Sequence, residues 1–241
     1  MEFDPRWAFA AAVLLIAYLV RGIAGFGSGL IAVPLLAFIF PVQVVVPVVV
    51  LFDYLGSAGQ GIRNREQIAW RDELPLIPFT LVGVALGLTL LKSLASDTLK
   101  QALGVFVIAY AVYQVLPLPV LRGSRLFAVP CGFFGGVIGT LFGTGGPFYV
   151  VYFGLRALEK NAFRATFAAN FLIDGAIRLA AFASFGFFRA DVLLAILAGL
   201  PVVGAGLWLG GRVHSTLSTA AYARIISVLL LFSGAVLLVK S

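Results

Sequence analysis

The sequence predicts an all-α polytopic membrane protein made of two inverted repeats, each a glycine-broken helical hairpin followed by three transmembrane helices. Of its 241 residues, 61% are hydrophobic and 11% charged, well under the roughly 25% charged content of an ordinary soluble domain. Stretches such as LPLIPFTLVGVALGLTLL (74–91) and IISVLLLFSGAVLLV (225–239) approach the ~20 residues that cross the hydrocarbon core. The third observation is a rhythm of segments that occurs twice.

The apolar segments fall at 7–40, 41–59, 74–92 and 98–116, and again at 126–157, 165–187, 191–209 and 218–239. Each set opens on a stretch too long for one crossing, with a glycine cluster inside it. An offset of 116 lays Phe26-Gly27-Ser28-Gly29 onto Phe142-Gly143-Thr144-Gly145. Further on, Trp70-Arg71 matches Phe188-Arg189, and Gly87-Leu88 matches Gly206-Leu207. Weak symmetry of this kind marks transporter folds built from duplicated bundles. The predicted division is a first repeat over 1–116, a linker PLPVLRGSR at 117–125 and a second repeat over 126–241. Glu2 and Asp4 precede the first apolar run where a secretory signal would be basic, so that segment reads as retained.

Lysine and arginine set the orientation. If each long stretch is a hairpin returning to its own side, the loops at 60–73, 117–125, 156–164 and 211–217 share the cytoplasmic face. They hold Arg63, Arg65, Arg71, Arg122, Arg125, Arg156, Lys160, Arg164 and Arg212, against Arg6, Lys92, Lys100, Arg189 and Lys240 opposite. The net charge of +7 is thereby assigned to loops facing lipid headgroups, and nucleic acid is not expected as a partner. Cys131, the one cysteine, stands in an apolar run and reads as packing, while His214 reads as a solvated loop residue. Neither composition nor spacing points to a metal or a cofactor.

The clusters GFGSGLIAV (25–33) and LFGTGGPFY (141–149) place glycine where it disfavours helix by about 1 kcal/mol per residue. Some glycines need only a packing role: Gly132, Gly135 and Gly136, and the pair Gly83 and Gly87, have helical spacing suited to close helix contact. A G-S-G and a G-T-G-G at matching positions predict more, a chain break followed by a new helix. Ser28 and Thr144 are the expected N-caps, with Pro147 in the first turn. Two helix N-termini then offer free N–H groups to an anion near the midplane. The candidate substrate-binding residues are Gly25, Gly27, Ser28, Gly29, Gly143, Thr144, Gly145 and Gly146. A phosphate loop is excluded because the clusters lack the lysine and the spacing of a Walker motif.

Ionisable residues inside apolar segments are functional candidates by default. Arg21 and Arg178 are the counter-charges for an anion, Asn170 adds a polar contact, and Asp53 and Asp174 are carboxylates available for coupling. Asn170, Asp174 and Arg178 stand at i, i+4 and i+8, one helical face, where Asp174 and Arg178 can also form a structural pair.

These features resemble the TauE/SafE sulfite exporter family, also called TSUP, of small bacterial membrane transporters. The resemblance rests on GFGSGLIAVPLL, its echo GVIGTLFGTGGPFYVVYF, and the duplicated hydropathy along nearly the whole chain. It implies transport of a small sulfur-containing anion, sulfite or an organosulfonate such as sulfoacetate, across the bacterial cytoplasmic membrane. Two other readings are open: a proton or cation exchanger using Asp53 and Asp174, and an intramembrane enzyme acting on lipid-linked phosphate. The enzyme would need clustered acids and bases at one depth, and the sequence supplies one loop histidine. A purely structural role leaves the matched glycine breaks unexplained.

Overall fold

The computed structural model describes residues 4–24, 27–61, 65–116, 122–212 and 219–240. Gly25, Arg63, His214 and positions 117–121 of the expected linker lie outside them. Every regular element among the described residues is helical, as apolar backbone requires in lipid, where each N–H and C=O must be satisfied within its own segment. The α-helices are α1 (Pro5–Ala24), α2 (Ser28–Leu36), α3 (Val42–Gly61), α4 (Trp70–Glu73), α5 (Leu76–Ser93), α6 (Ser96–Val115), α7 (Ala128–Phe142), α8 (Gly146–Leu155), α9 (Lys160–Ser184), α10 (Ala190–Arg212) and α11 (Thr219–Lys240). Short 3-10 turns occupy Arg65–Gln67 and Arg125–Phe127. Among the described residues, five stretches are long and apolar enough to cross a membrane: Pro5–Ile23, Trp70–Ser93, Arg125–Phe142, Lys160–Ser184 and Ala190–Arg212.

Both long stretches break where the glycines cluster, into α1 and α2 and into α7 and α8. The caps differ from expectation. Gly27 occupies the N-cap of α2 with φ 97°, and Ser28 is the first helical residue. In the second hairpin Gly143 closes α7 with φ 66°, Gly145 is the N-cap of α8, and no side chain caps that helix. Gly27 and Gly143 take left-handed backbone, which glycine adopts without strain, so glycine replaces Ser28 as the cap of α2. Gly145 replaces Thr144 as the cap of α8 in right-handed backbone, where the Gly135 carbonyl leaves no room for a side chain. Pro147 stands in the first turn of α8, where a missing N–H leaves no bond unmade.

The chain forms two compact units that do not coincide with its halves. The first consists of Met1–Val49, Leu94–Pro117 and Arg189–Ser241. In it α1 packs along α10 and α6 along α11, while α2 touches α1, α6 and α11. Small residues allow these crossings: a Cβ on Gly22 would lie 2.8 Å from the Gly210 α-carbon, and one on Gly206 2.9 Å from the Leu15 carbonyl.

The second unit consists of Val50–Ser93 and Leu118–Phe188. Here α5 packs along α7, and α9 touches α5, α8 and the Arg65–Gln67 turn. A Cβ on Gly132 would come 2.8 Å from the Leu76 carbonyl, and one on Gly87 2.8 Å from Thr140 Cβ. Gly83, Gly87, Gly132 and Gly136 are thus packing glycines of the α5–α7 crossing, whereas Gly135 faces the Tyr149 ring on α8. Leu76, Ala128, Cys131, Tyr149, Tyr152 and Phe153 form the buried core, which places Cys131 in packing.

Three basic loops meet at one end of this unit. Asp72 accepts from Arg125 Nε at 3.0 Å and from Arg156 Nε at 2.9 Å. The Gly123 N–H donates to the Leu155 carbonyl at 2.9 Å, and the Ala69 N–H to Thr166 Oγ1 at 2.9 Å.

Candidate functional site

The first-unit candidates are Arg21, Gly27, Ser28 and Gly29. Arg21 lies in the last turn of α1 and is buried, and its Nη1 donates to Ser28 Oγ at 2.9 Å across the break. Ser28 and Gly29 are buried in the first turn of α2. A guanidinium is therefore held at the positive end of a helix macrodipole, two features that both favour negative charge.

The second unit brings together the larger set: Gly143, Thr144, Gly145, Gly146, Asn170, Asp174, Arg178 and Asp53. Helix α9 carries Asn170, Asp174 and Arg178 on one buried face, as their spacing predicts. Arg178 Nη2 pairs with Asp174 Oδ2, and Nη1 donates to the Gly139 carbonyl at 2.8 Å. Gly139 lies near the C-terminal end of α7, the negative end of its dipole. Gly139 also joins Arg178 to the break: a Cβ there would lie 3.0 Å from Arg178 Nη1 and 3.4 Å from the Gly145 α-carbon. Asp53 on α3 is buried and acts on the Arg178 charge.

Around this break several buried polar atoms have no hydrogen-bond partner among the described residues: Thr144 Oγ1, Tyr149 Oη, Asp174 Oδ1 and Arg178 Nε. The Tyr149 hydroxyl stands close to Thr80 and Asp174. Buried polar groups are nearly always satisfied. Three of these four can donate, so the arrangement suits a ligand rich in acceptor oxygens.

Sequence reasoning missed Glu73 and Asp72. Both fall in WRDE, which reads as a loop, yet α4 folds them inward. Asn170 Nδ2 donates to Glu73 Oε1 at 3.1 Å, so the polar face of α9 begins with a carboxylate from α4. Tyr149 closes the GTGGPFY stretch, and nothing in its spacing distinguishes it from a core aromatic. Among the described residues no group of three His, Cys, Asp or Glu side chains stands together as a metal site.

An all-helical chain with several membrane-spanning stretches, helices broken at glycine and a buried guanidinium beside a break, has the construction of a membrane transporter. The comparisons agree. The chain matches the family "Sulfite exporter TauE/SafE" over residues 9–237 and belongs to it. It is similar to a protein of Cupriavidus necator described as "Probable sulfite/organosulfonate exporter TauE", with 29% identity over 229 residues covering 91% of this chain and 88% of that protein. No solved structure matches. The chain is thus a multi-pass membrane protein of a transporter family rather than an enzyme.

Proposed function

We propose that the protein is a secondary transporter of a small sulfur oxyanion, sulfite or an organosulfonate such as sulfoacetate, in the bacterial cytoplasmic membrane. The carrying observation is the set of partnerless buried donors at the second hairpin break: Arg178 Nε, Thr144 Oγ1 and Tyr149 Oη. A sulfonate or sulfite group presents acceptor oxygens and negative charge, the complement of a guanidinium and two hydroxyls. Family membership and the name of the Cupriavidus necator relative support the same substrate class.

The binding step follows from competition for Arg178. In the structure Asp174 is the counter-ion of Arg178. An arriving anion takes over Arg178, and the hydroxyls of Thr144 and Tyr149 complete its coordination. The first hairpin supplies a second place of the same character, with Arg21 and the N-terminus of α2.

The test is thermal stabilisation of purified protein by sulfite, sulfate, thiosulfate, sulfoacetate and carboxylate analogues. A ligand that binds only the folded state raises the melting temperature by mass action, by about 2.7 kcal/mol of stability at one hundred times its Kd. Stabilisation by sulfite or sulfoacetate, and its loss in Arg178→Gln, is expected. Stabilisation by cations and by none of the anions would overturn the reading.

A further inference from the structure

We propose that Glu73 is the residue through which a proton reaches the Asp174–Arg178 pair, so that one proton accompanies each anion bound at Arg178. The inference rests on the anion-transport reading above. Glu73 is 0% exposed. Among the described residues its hydrogen-bond partner is Asn170, which reaches Oε1, and Oε2 has none. A carboxylate sealed from water with a single amide donor is a costly charge, and a proton on the unpartnered oxygen removes that cost.

Among the described residues no cation acts on Glu73. On its own helix Asp72 is held by Arg125 and Arg156, and Arg71 is exposed. Helix α5 carries no ionisable side chain between Leu76 and Leu91. From α9 the acting charge is Asp174, a repulsive neighbour whose own counter-ion is Arg178. Asn170, Asp174 and Arg178 follow one another by four residues, about 6 Å along the axis per step. Glu73 therefore stands at one end of a polar row that reaches the hairpin break at the other.

Charge counting gives the row its use. With Glu73 protonated, Asp174 ionised and Arg178 cationic, the three groups are neutral together. An anion that takes Arg178 leaves Asp174 as an uncompensated buried charge, the situation low-dielectric surroundings penalise most. Passage of the Glu73 proton to Asp174, with Glu73 reprotonated from solution, restores neutrality. The net change is one anion and one proton taken up.

The experiment measures uptake of labelled sulfite and labelled sulfoacetate into proteoliposomes with and without an imposed pH gradient, for wild type and Glu73→Gln. Expected is at least a tenfold loss of gradient-driven accumulation in Glu73→Gln, while thermal stabilisation by the same anion is weakened but still present, since Asp174 then keeps its charge. Equal stimulation by the gradient in both proteins would refute the role of Glu73 and leave the transport reading standing. Uptake of neither anion by wild type would remove both. Should Glu73→Gln fail to fold, dicyclohexylcarbodiimide, which attacks protonated carboxyls in apolar surroundings, reports on wild type. Mass spectrometry should find Glu73 modified and Asp174 unmodified, and an unmodified Glu73 overturns the proposal.

Discussion

Arg178 is buried with its partner Asp174 on the next turn of α9, and the pair can be structural or functional according to what happens when both charges go. Either single change, Asp174→Asn or Arg178→Gln, strands a buried charge and should destabilise by about 3–5 kcal/mol. The double variant should recover most of that stability, read as melting temperature, because neither charge then needs a partner. Its anion-dependent stabilisation should stay absent, since Asp174→Asn restores folding but supplies no cation. Recovery of both in the double variant would make the pair purely structural. The row Asn170, Asp174 and Arg178 was legible from its spacing alone, since four-residue steps stay on one helix face. Glu73 was not, because an acid in a polar WRDE stretch carries no sign that a short helix turns it onto α9.

The hairpin α7–α8 depends on how closely its own backbone approaches itself. A Cβ on Gly145 would run into the Gly135 carbonyl and come 3.3 Å from the Gly139 α-carbon. Gly145→Ala should therefore destabilise by about 1–3 kcal/mol through overpacking. Gly146 differs: its Cβ would meet Phe171 at 3.4 Å, an ordinary contact. Gly146→Ala should melt within about 0.5 kcal/mol of wild type, and a large loss of stability in it would show that the break tolerates no side chain at all. Chemical composition made the two breaks readable, since glycine clusters have few other reasons to interrupt apolar runs. Which glycine caps and which packs was not readable, because that depends on the Gly135–Gly145 approach across the turn. At the end of the second unit, Asp72→Asn should cost about 1–3 kcal/mol, as it leaves Arg125 and Arg156 without their shared carboxylate; an unchanged melting temperature would make that cluster a solvated surface pair.

Each compact unit draws helices from both halves of the chain, with α1 on α10 in one and α7 on α5 in the other. Hydropathy shows where segments lie but not which segments pair, so this interleaving was invisible in the sequence even though the duplicated rhythm was plain. The convergence of the 65–73, 122–125 and 156–166 segments at one end of the second unit supports the hairpin topology, because those loops then share a side of the membrane. With Cys131→Ser as background, single cysteines introduced by Gln67→Cys and Asn161→Cys should both react from the cytoplasmic side. Labelling of Asn161→Cys from outside would make the halves parallel. The central claim, that a sulfur oxyanion is carried by way of Arg178, is tested most directly by initial rates of labelled sulfite and sulfoacetate uptake into proteoliposomes. Saturable uptake of at least one of them by wild type, falling tenfold or more in the folded Asp174→Asn/Arg178→Gln double variant, is the predicted result, and wild-type rates in that variant would contradict the account.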